Sequence, residues 1–315
     1  MNRKAIIFGI KGLKLNYEEI EFLKKSKPWG IILFSRNVKN LLQLRNLTSS
    51  IKKIFNDQNY PILIDQEGGR VSRLNKIFDL SMFPQYYFGN LYKKNFKNFK
   101  NYYKIYINGV SDLIKSAGIN INTAPVLDVL RKKTHKIIGN RSFSEDPKIV
   151  SAIGDLCIEL YSKNKIATVV KHIPGHGLSL LDSHSHLPTV VEKKNNLIKN
   201  DFKTFKKCKS FFAMTAHVIY KKYDFHNTAT HSNIIINDVI RKHIGFDGLI
   251  ITDDISMKAL KYSLPINTIK ALNAGCNIIL HCNGNIKEMH TLSNIVPQID
   301  KFIEKKTSQF YNFLR

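Results

Sequence analysis

Short apolar runs and amphipathic segments alternate along the chain. Between most of the apolar runs, apolar residues recur at helical spacing. Those helical segments are Tyr17 to Lys25, Leu41 to Phe55, Asn101 to Ser116, Lys148 to Lys163 and Asn233 to Ile244. Eight runs predict strands: Ala5 to Ile10, Gly30 to Phe34, Pro61 to Ile64, Ile121 to Val126, Ala167 to Val170, Phe211 to Thr215, Leu249 to Thr252 and Asn277 to His281.

Continuous apolar strands that alternate with amphipathic helices indicate a parallel sheet covered on its outer face. Eight such units predict the α/β class and a single (β/α)8 TIM-type barrel. No linker rich in glycine, serine or proline divides the series, so we expect one domain over residues 1–315. An open doubly wound sheet is the alternative, although no GxGxxG follows the first strand.

Composition narrows the class further. The 315 residues are 43% hydrophobic, which is enough to bury a large core. No apolar run is long enough to span a bilayer. The apolar run near the first residues is interrupted by lysines too early to be the hydrophobic region of a signal peptide. We therefore expect a cytosolic protein without a membrane partner, and a monomer. The four cysteines form no CxxC pair, so we expect reduced thiols.

The formal net charge is +25, and lysine provides most of it. The lysines are spread over nearly every predicted helix, whereas a nucleic-acid reader usually clusters arginine and lysine on one stripe. We expect no specific nucleic-acid partner. The segment from Lys93 to Lys104 mixes lysine with tyrosine and phenylalanine, so a basic polyanion-binding protein is the alternative from a different functional class.

Charged side chains gather where the predicted strands end. The third strand runs into Asp65, Glu67, Arg70 and Arg73, the fourth into Asp128, the fifth into Lys171 and His172, the sixth into His217, and the seventh into Asp253 and Asp254. In a (β/α)8 barrel the active site lies at the carboxyl ends of the strands. Five strand ends with such residues predict an active site there.

The segment from Lys171 to His184, KHIPGHGLSLLDSH, is the densest of these clusters. Asp253 at a strand tip can act as a nucleophile or stabilise a cation. A second group is then needed to transfer a proton to the leaving group. His184 beside Asp182 suits that task, because a carboxylate fixes the tautomer of an imidazole. Five further residues suit hydrogen bonding to a polyhydroxylated or acetamido ligand. They are Asp65, Arg73, Arg141, Lys171 and His172.

Six motifs in order resemble the family 3 glycoside hydrolases, and within them the bacterial cytosolic β-N-acetylglucosaminidases of cell-wall recycling. The motifs are IDQEGGRVSRL, APVLDV, IGNRSFSEDP, KHIPGHG, DSH and GFDGLIITDDISM, between Ile64 and Met257. The resemblance implies a barrel enzyme that removes terminal β-linked N-acetylglucosamine from muropeptides with retention of configuration. It implies no metal and no organic cofactor.

The match to the family's motifs implies that Asp253 is the nucleophile that forms a glycosyl-enzyme intermediate. Asp254 is its neighbour and not the nucleophile. His184 is the acid/base with Asp182 as its partner, which departs from the usual carboxylate pair of glycosidases. Asp65, Arg73, Arg141, Lys171 and His172 hold the sugar. Four residues rank lower, as supporting groups: Glu67, Arg70, Asp128 and His217.

This chain departs from the family pattern in small ways. Thr252 stands where serine is common, and the residues from Leu178 to Leu181 make the loop before Asp182 unusually apolar. His186 is an additional candidate for the proton-transfer role, and His184 is the preferred one. None of these departures removes a catalytic group.

Three other chemistries stay open. His172, His176, Asp182 and His184 have the side chains of a zinc site, although the HxH expected after the first strand of metal-dependent amidohydrolases is absent. Lys171 at a strand end is also a candidate for a Schiff base. Phosphorolysis is a closer alternative, because a histidine acid/base does not repel a phosphate acceptor as a carboxylate does.

Overall fold

A computed structural model describes residues 2–132, 134–179 and 187–315 of the chain. Eight parallel strands close into a barrel in which each strand pairs with its neighbours in sequence and the last pairs with the first. The strands, numbered β1 to β8, are Lys4–Gly9, Pro28–Leu33, Ile62–Ile64, Ile121–Asn122, Ala167–Ile173, Phe212–Thr215, Leu249–Asp254 and Ile278–His281. The predicted (β/α)8 barrel is confirmed.

Helices surround the barrel. The α-helices of ten or more residues, numbered α1 to α8, are Tyr17–Ser26, Leu41–Phe55, Gln85–Lys94, Phe96–Ser116, Pro147–Lys163, Leu264–Ala274, Ile286–Ile295 and Lys301–Leu314. The segment Ile235–Ile244 forms a π-helix, and Lys194–Asn196 begins a series of short helical turns that ends at Phe205. Two small sheets stand outside the barrel: Gln66–Gly68 with Val71–Ser72, and Thr189–Val190 with Ile219–Tyr220.

Local sequence explains where the helices begin. The Asn16 side chain accepts a hydrogen bond from the Glu19 N–H at 2.8 Å, and the Glu19 carboxylate accepts one from the Asn16 N–H at 3.1 Å. This capping box starts α1. At α2 the Asn40 side chain alone forms the cap, by accepting the Gln43 N–H, and Asp146 caps α5 just before Pro147.

The core lies inside the barrel and between the barrel and its helices. Every residue of β2 is buried, as parallel strands covered on both faces require. Trp29 of β2 is the single tryptophan, and its Nε1 donates to Thr307 Oγ1 of α8 at 2.9 Å. This bond satisfies a buried polar group while it fastens the last helix to the barrel.

The strand ends differ slightly from expectation. β4 spans two residues rather than six, and Pro125, which has no N–H to donate, follows shortly after it. β5 continues to Ile173, so Lys171 and His172 project from the strand itself. No helix among the described residues is long and apolar enough to cross a membrane. All four cysteines are free thiols.

Candidate active site

A cavity of about 290 Å³ opens at the carboxyl ends of the barrel strands. Its polar lining comes from the loop after β3, from β5 and β7, and from the loop that precedes α5. The polar residues that line it are Asp65, Glu67, Arg70, Arg73, Arg141, Lys171, His172, His176 and Asp253. Apolar groups complete the wall and floor, including Ile32, Met214, Leu280 and Cys282.

Glu67 forms the centre of a buried ionic network. Arg141 donates to its two oxygens from Nε at 2.7 Å and from Nη2 at 2.8 Å, and Lys171 Nζ lies 2.6 Å from Oε1. Burial alone raises the pKa of Glu67, but the Arg141 and Lys171 charges outweigh it and lower that pKa to about 2. The carboxylate is therefore ionised at neutral pH.

Asp65, directly after β3, joins the same network from the other side. Lys171 Nζ donates to its Oδ1 at 2.9 Å, and Arg73 Nη2 donates to its Oδ2 at 3.0 Å. Thr123 Oγ1 also donates to Oδ1. Although burial raises the pKa of Asp65, Lys171 and Arg73 hold it well below its usual range. One lysine thus bridges two carboxylates, and Arg73 and Arg141 flank the bridge.

Asp128 supports the imidazole of His172 from below the cavity. Its Oδ2 lies 2.7 Å from His172 Nδ1, and its Oδ1 accepts the backbone N–H of His172 at 3.2 Å and that of His176 at 2.7 Å. Burial raises the pKa of Asp128, yet His172 brings it below the ordinary value. The bond at Nδ1 turns Nε2 of His172 toward the cavity.

Asp253, near the end of β7, faces His172 across the cavity floor. Its Oδ2 lies 3.9 Å from His172 Nε2, and its Oδ1 accepts the Asp254 N–H at 2.8 Å. Burial raises the pKa of Asp253, but the neighbouring His172 and His217 lower it below the ordinary value. The side chain remains 21% exposed, so an ionised oxygen stays open to the cavity.

Asp254 is directed elsewhere. Its carboxylate accepts the Ser256 hydroxyl at 2.9 Å and the N–H of Cys282 at 3.2 Å. Its backbone carbonyl lies 3.0 Å from His217 Nε2, and His217 Nδ1 lies 2.7 Å from Thr230 Oγ1. Asp254 and His217 therefore hold the end of β7 while Asp253 points into the cavity.

The structure gathers Asp65, Arg73, Arg141, Lys171, His172 and Asp253 around one cavity. Asp182, His184 and His186 lie outside the described residues. Sequence reasoning ranked Glu67 only as a supporting group, yet it contacts both Arg141 and Lys171. It did not identify Thr123, which donates to Asp65, although a polar residue just after a barrel strand is itself a signal.

A metal site was one alternative. No group of three histidine, cysteine, aspartate or glutamate side chains within residues 2–132, 134–179 and 187–315 is arranged to hold a metal ion. Two members of the zinc hypothesis, Asp182 and His184, lie beyond those ranges. His172 and His176 are present, and the first is committed to Asp128 through Nδ1.

Known proteins resemble this chain over nearly its whole length. A sequence model of the glycosyl hydrolase family 3 N-terminal domain matches residues 4–308. The beta-hexosaminidase of Photobacterium profundum is 31% identical over 98% of this chain and 92% of its own length. That of Haemophilus ducreyi is 33% identical over 96% and 88%. The crystal structure of NagZ from Neisseria gonorrhoeae with N-trifluoroacetyl-D-glucosamine superposes with a TM-score of 0.89, at 27% identity, over 100% of this chain and 91% of that one.

Proposed function

Because the chain belongs to glycosyl hydrolase family 3, we propose that it is a retaining β-N-acetylhexosaminidase that uses Asp253 as its nucleophile. The relatives named beta-hexosaminidase support the activity, since they match nearly the whole of the chain. The solved structure with a glucosamine derivative supports N-acetylglucosamine as the sugar. Hydrolysis of a terminal β-linked N-acetylglucosamine is the reaction that this cavity suits.

The main support for Asp253 as the nucleophile is that its carboxylate is open to the cavity, whereas the other carboxylates there are bound to neighbouring groups. Asp65 and Glu67 are each paired with Lys171 and an arginine. Asp128 is buried against His172, and Asp254 is held by Ser256 and Cys282. Among the described carboxylates at the cavity, Asp253 is the one with an ionised oxygen turned to the open space and no lysine or arginine within 4 Å. A nucleophile needs that state.

The first step forms a glycosyl-enzyme ester. An oxygen of Asp253 attacks the anomeric carbon as the bond from that carbon to the leaving-group oxygen breaks. The protonated imidazole of His184, assisted by Asp182, gives its proton to the departing oxygen. Arg73, Arg141 and Lys171 are already paired with Asp65 and Glu67, so none of them forms an ion pair with Asp253 that would occupy the attacking oxygen.

The second step releases the sugar. Neutral His184 takes a proton from a water molecule as that water attacks the anomeric carbon. The ester bond to Asp253 breaks, the carboxylate is restored, and His184 is again protonated. Two displacements at one carbon leave its configuration unchanged.

The ionic network fits recognition of the sugar hydroxyls. Lys171, Arg73 and Arg141 offer N–H donors whose positions are set by Asp65 and Glu67, and His172 offers Nε2. Charged partners make stronger hydrogen bonds than neutral ones. These five residues, Asp65, Arg73, Arg141, Lys171 and His172, are the proposed sugar-binding set.

The natural substrate that we propose is a muropeptide of cell-wall recycling, processed in the cytosol by a monomer whose barrel is one domain. No metal or organic cofactor takes part in the proposed steps. A direct comparison separates this substrate from simpler ones: purified muropeptides with terminal N-acetylglucosamine should be turned over with a higher kcat/KM than chitobiose. The reverse order would refute the muropeptide assignment.

The nucleophile is tested with the nitrophenyl β-N-acetylglucosaminide. Asp253→Asn keeps the size of the side chain and should abolish nitrophenol release. A mechanism-based 5-fluoro derivative of the sugar should label the wild-type peptide that contains Asp253. Asp254→Asn is the comparison variant: loss of its bonds to Ser256 and Cys282 should lower turnover, but the protein should still be labelled, because the nucleophile remains. Label on another peptide, or full activity in Asp253→Asn, would overturn the assignment.

The acid/base is tested through the leaving group. His184→Ala should slow hydrolysis of a substrate with a poor leaving group far more than that of the nitrophenyl substrate, which departs without help. His186→Ala is the control for the competing histidine. Product analysis in phosphate buffer distinguishes free sugar from the sugar 1-phosphate that a phosphorylase would make.

A further inference from the structure

Gln66 stands between Asp65 and Glu67, the two carboxylates of the ionic network, but it does not line the cavity. It belongs to the small hairpin after β3, where it lies opposite Ser72, and it is 1% exposed. A buried carboxamide needs partners for its N–H groups and for its oxygen. The partners of Gln66 lie in the segment that carries Arg73.

The carboxamide of Gln66 holds the chain at three successive residues. Its Oε1 accepts the N–H of Arg73 at 2.9 Å and the N–H of Leu74 at 3.1 Å. Its Nε2 donates to Ser72 Oγ at 2.7 Å. The Leu74 side chain is buried in the core, so the far end of this segment is fixed as well. Gln66 therefore sets the position of the Arg73 backbone.

Gln66 is itself anchored to the barrel. The Asn122 side chain, on β4, pairs with both backbone groups of Gln66: its Oδ1 accepts the Gln66 N–H at 3.0 Å, and its Nδ2 donates to the Gln66 carbonyl at 2.9 Å. Asn122 Nδ2 also donates to the Tyr161 hydroxyl of α5 at 3.0 Å. A continuous series of hydrogen bonds thus leads from α5 and β4 to Arg73.

Arg73 depends on this support more than Arg141 does. Within the described ranges, the Arg73 guanidinium makes one hydrogen bond, from Nη2 to Asp65 at 3.0 Å, and its buried Nε has no partner. Its Cζ lies 5.4 Å from the centre of the Phe34 ring. Arg141, in contrast, is held by Glu67 through two nitrogens. The direction of the Arg73 side chain is therefore set largely by where its backbone stands.

We propose that Gln66 is a positioning residue of the sugar site and acts through Arg73 and its partner Asp65. The inference rests on the proposed function, in which Arg73 and Asp65 bind the sugar. These two residues hold the sugar in the ground state and in the transition state alike. Loss of the Gln66 carboxamide should therefore weaken sugar binding and raise the Michaelis constant, but leave kcat nearly unchanged.

The test is inhibition of nitrophenyl β-N-acetylglucosaminide hydrolysis by free N-acetylglucosamine, whose inhibition constant measures sugar binding at equilibrium. Gln66→Met keeps the size of the side chain and removes its hydrogen bonds. The inhibition constant and the Michaelis constant should each rise about tenfold, which is the effect of misplacing one hydrogen bond from a charged donor. The value of kcat should fall by less than about threefold.

Asn120→Leu is the matched control. Asn120 is also a buried carboxamide with three hydrogen bonds: its Oδ1 accepts the Ile62 N–H at 2.9 Å, and its Nδ2 donates to the carbonyls of Asn59 and Tyr60 at 3.1 and 3.0 Å. These residues lie at the amino ends of β3 and β4 and do not line the cavity. Both variants should lower the midpoint of denaturant unfolding, but only Gln66→Met should weaken sugar binding. Equal losses of sugar binding would overturn the inference.

A double-mutant cycle tests whether the effect passes through Arg73. Arg73→Ala alone should weaken binding of N-acetylglucosamine. Adding Gln66→Met to it should raise the inhibition constant by less than about twofold more, because the group that Gln66 positions is gone. A tenfold rise in both backgrounds would refute positioning through Arg73.

Ser72→Ala decides the question if Gln66→Met does not fold. It removes the acceptor of Gln66 Nε2 and keeps both bonds at Oε1. An inhibition constant raised about threefold supports the inference, and an unchanged one refutes it.

Failure of the proposed function gives a different result. A folded wild type that neither hydrolyses the nitrophenyl substrate nor binds N-acetylglucosamine in calorimetry refutes the hydrolase assignment and this inference together. A wild type that does both, with Gln66→Met equal to it in sugar binding, refutes the inference alone.

Discussion

The guanidinium of Arg141 and the carboxylate of Glu67 form a two-pronged ion pair inside the cavity wall, with N–O distances of 2.7 and 2.8 Å. The two residues are 74 positions apart in the chain. The pair joins the loop before α5 to the hairpin after β3, and it sets the direction of a cation that faces the proposed sugar site. Both side chains are almost fully buried, so the pair is shielded from solvent.

Glu67→Gln should damage both stability and binding. The change removes the carboxylate charge that Arg141 and Lys171 share and leaves their buried charges incompletely paired. We expect the free energy of unfolding to fall by about 3 kcal/mol. The Michaelis constant for the nitrophenyl substrate should rise, because Arg141 loses its fixed direction. Denaturant unfolding and steady-state kinetics measure the two effects.

Glu145→Gln is the control for that variant. The ion pair between Glu145 and Lys93 is exposed on both sides, so its loss should change the unfolding free energy by less than about 0.5 kcal/mol. Equal destabilisation by the two variants would contradict the importance of the buried pair.

His176 should remain neutral under mildly acidic conditions. Burial, and next the neighbouring His172, lower its pKa from 6.5 to about 4. The unfolded chain takes up this proton near pH 6.5 and the folded chain does not, so stability falls as the pH drops from 6.5 toward 4. Nitrogen NMR of the imidazole should show a titration near pH 4, and a midpoint above pH 6 would disprove the shift.

His217 should act on turnover through the backbone of β7. Its Nε2 lies 3.0 Å from the Asp254 carbonyl, next to the proposed nucleophile. His217→Ala should lower kcat for the nitrophenyl substrate by about tenfold or more, because a small displacement of a reacting group is costly. The Michaelis constant should change much less. Thr230→Ser keeps the hydroxyl that contacts His217 Nδ1 and should behave as wild type; a loss confined to the Michaelis constant would contradict positioning.

Gly89 should tolerate no side chain. A Cβ atom there would lie 1.7 Å from the Phe143 carbonyl oxygen, which belongs to the segment that leads from the Arg141 loop into α5. Gly89→Ala must push α3 away, so we expect a loss of several kcal/mol and weaker activity. Gly109→Ala is the control in α4, where a Cβ meets no atom within 4 Å. It should raise stability by about 0.5 to 1 kcal/mol, as alanine favours a helix. Similar unfolding midpoints for both variants would disprove the close contact.

The pattern of apolar residues determined the architecture. Eight apolar runs separated by amphipathic segments predicted the barrel, because parallel strands buried on both faces have little choice of composition. The same pattern put Asp65, Lys171, His172 and Asp253 at strand ends, and strand ends of a closed barrel meet on one face. Those predictions needed only local periodicity.

Tertiary structure decided how the charged groups are paired. The sequence does not reveal that Glu67 pairs with Arg141, that Asp128 accepts from His172, or that Asp254 is held by Ser256 and Cys282 while Asp253 remains open. Each pairing depends on angles and distances that exist only after the barrel closes, and a shift of a few ångströms exchanges one partner for another. Residue type and spacing therefore determined which groups meet, and packing determined which of them pair.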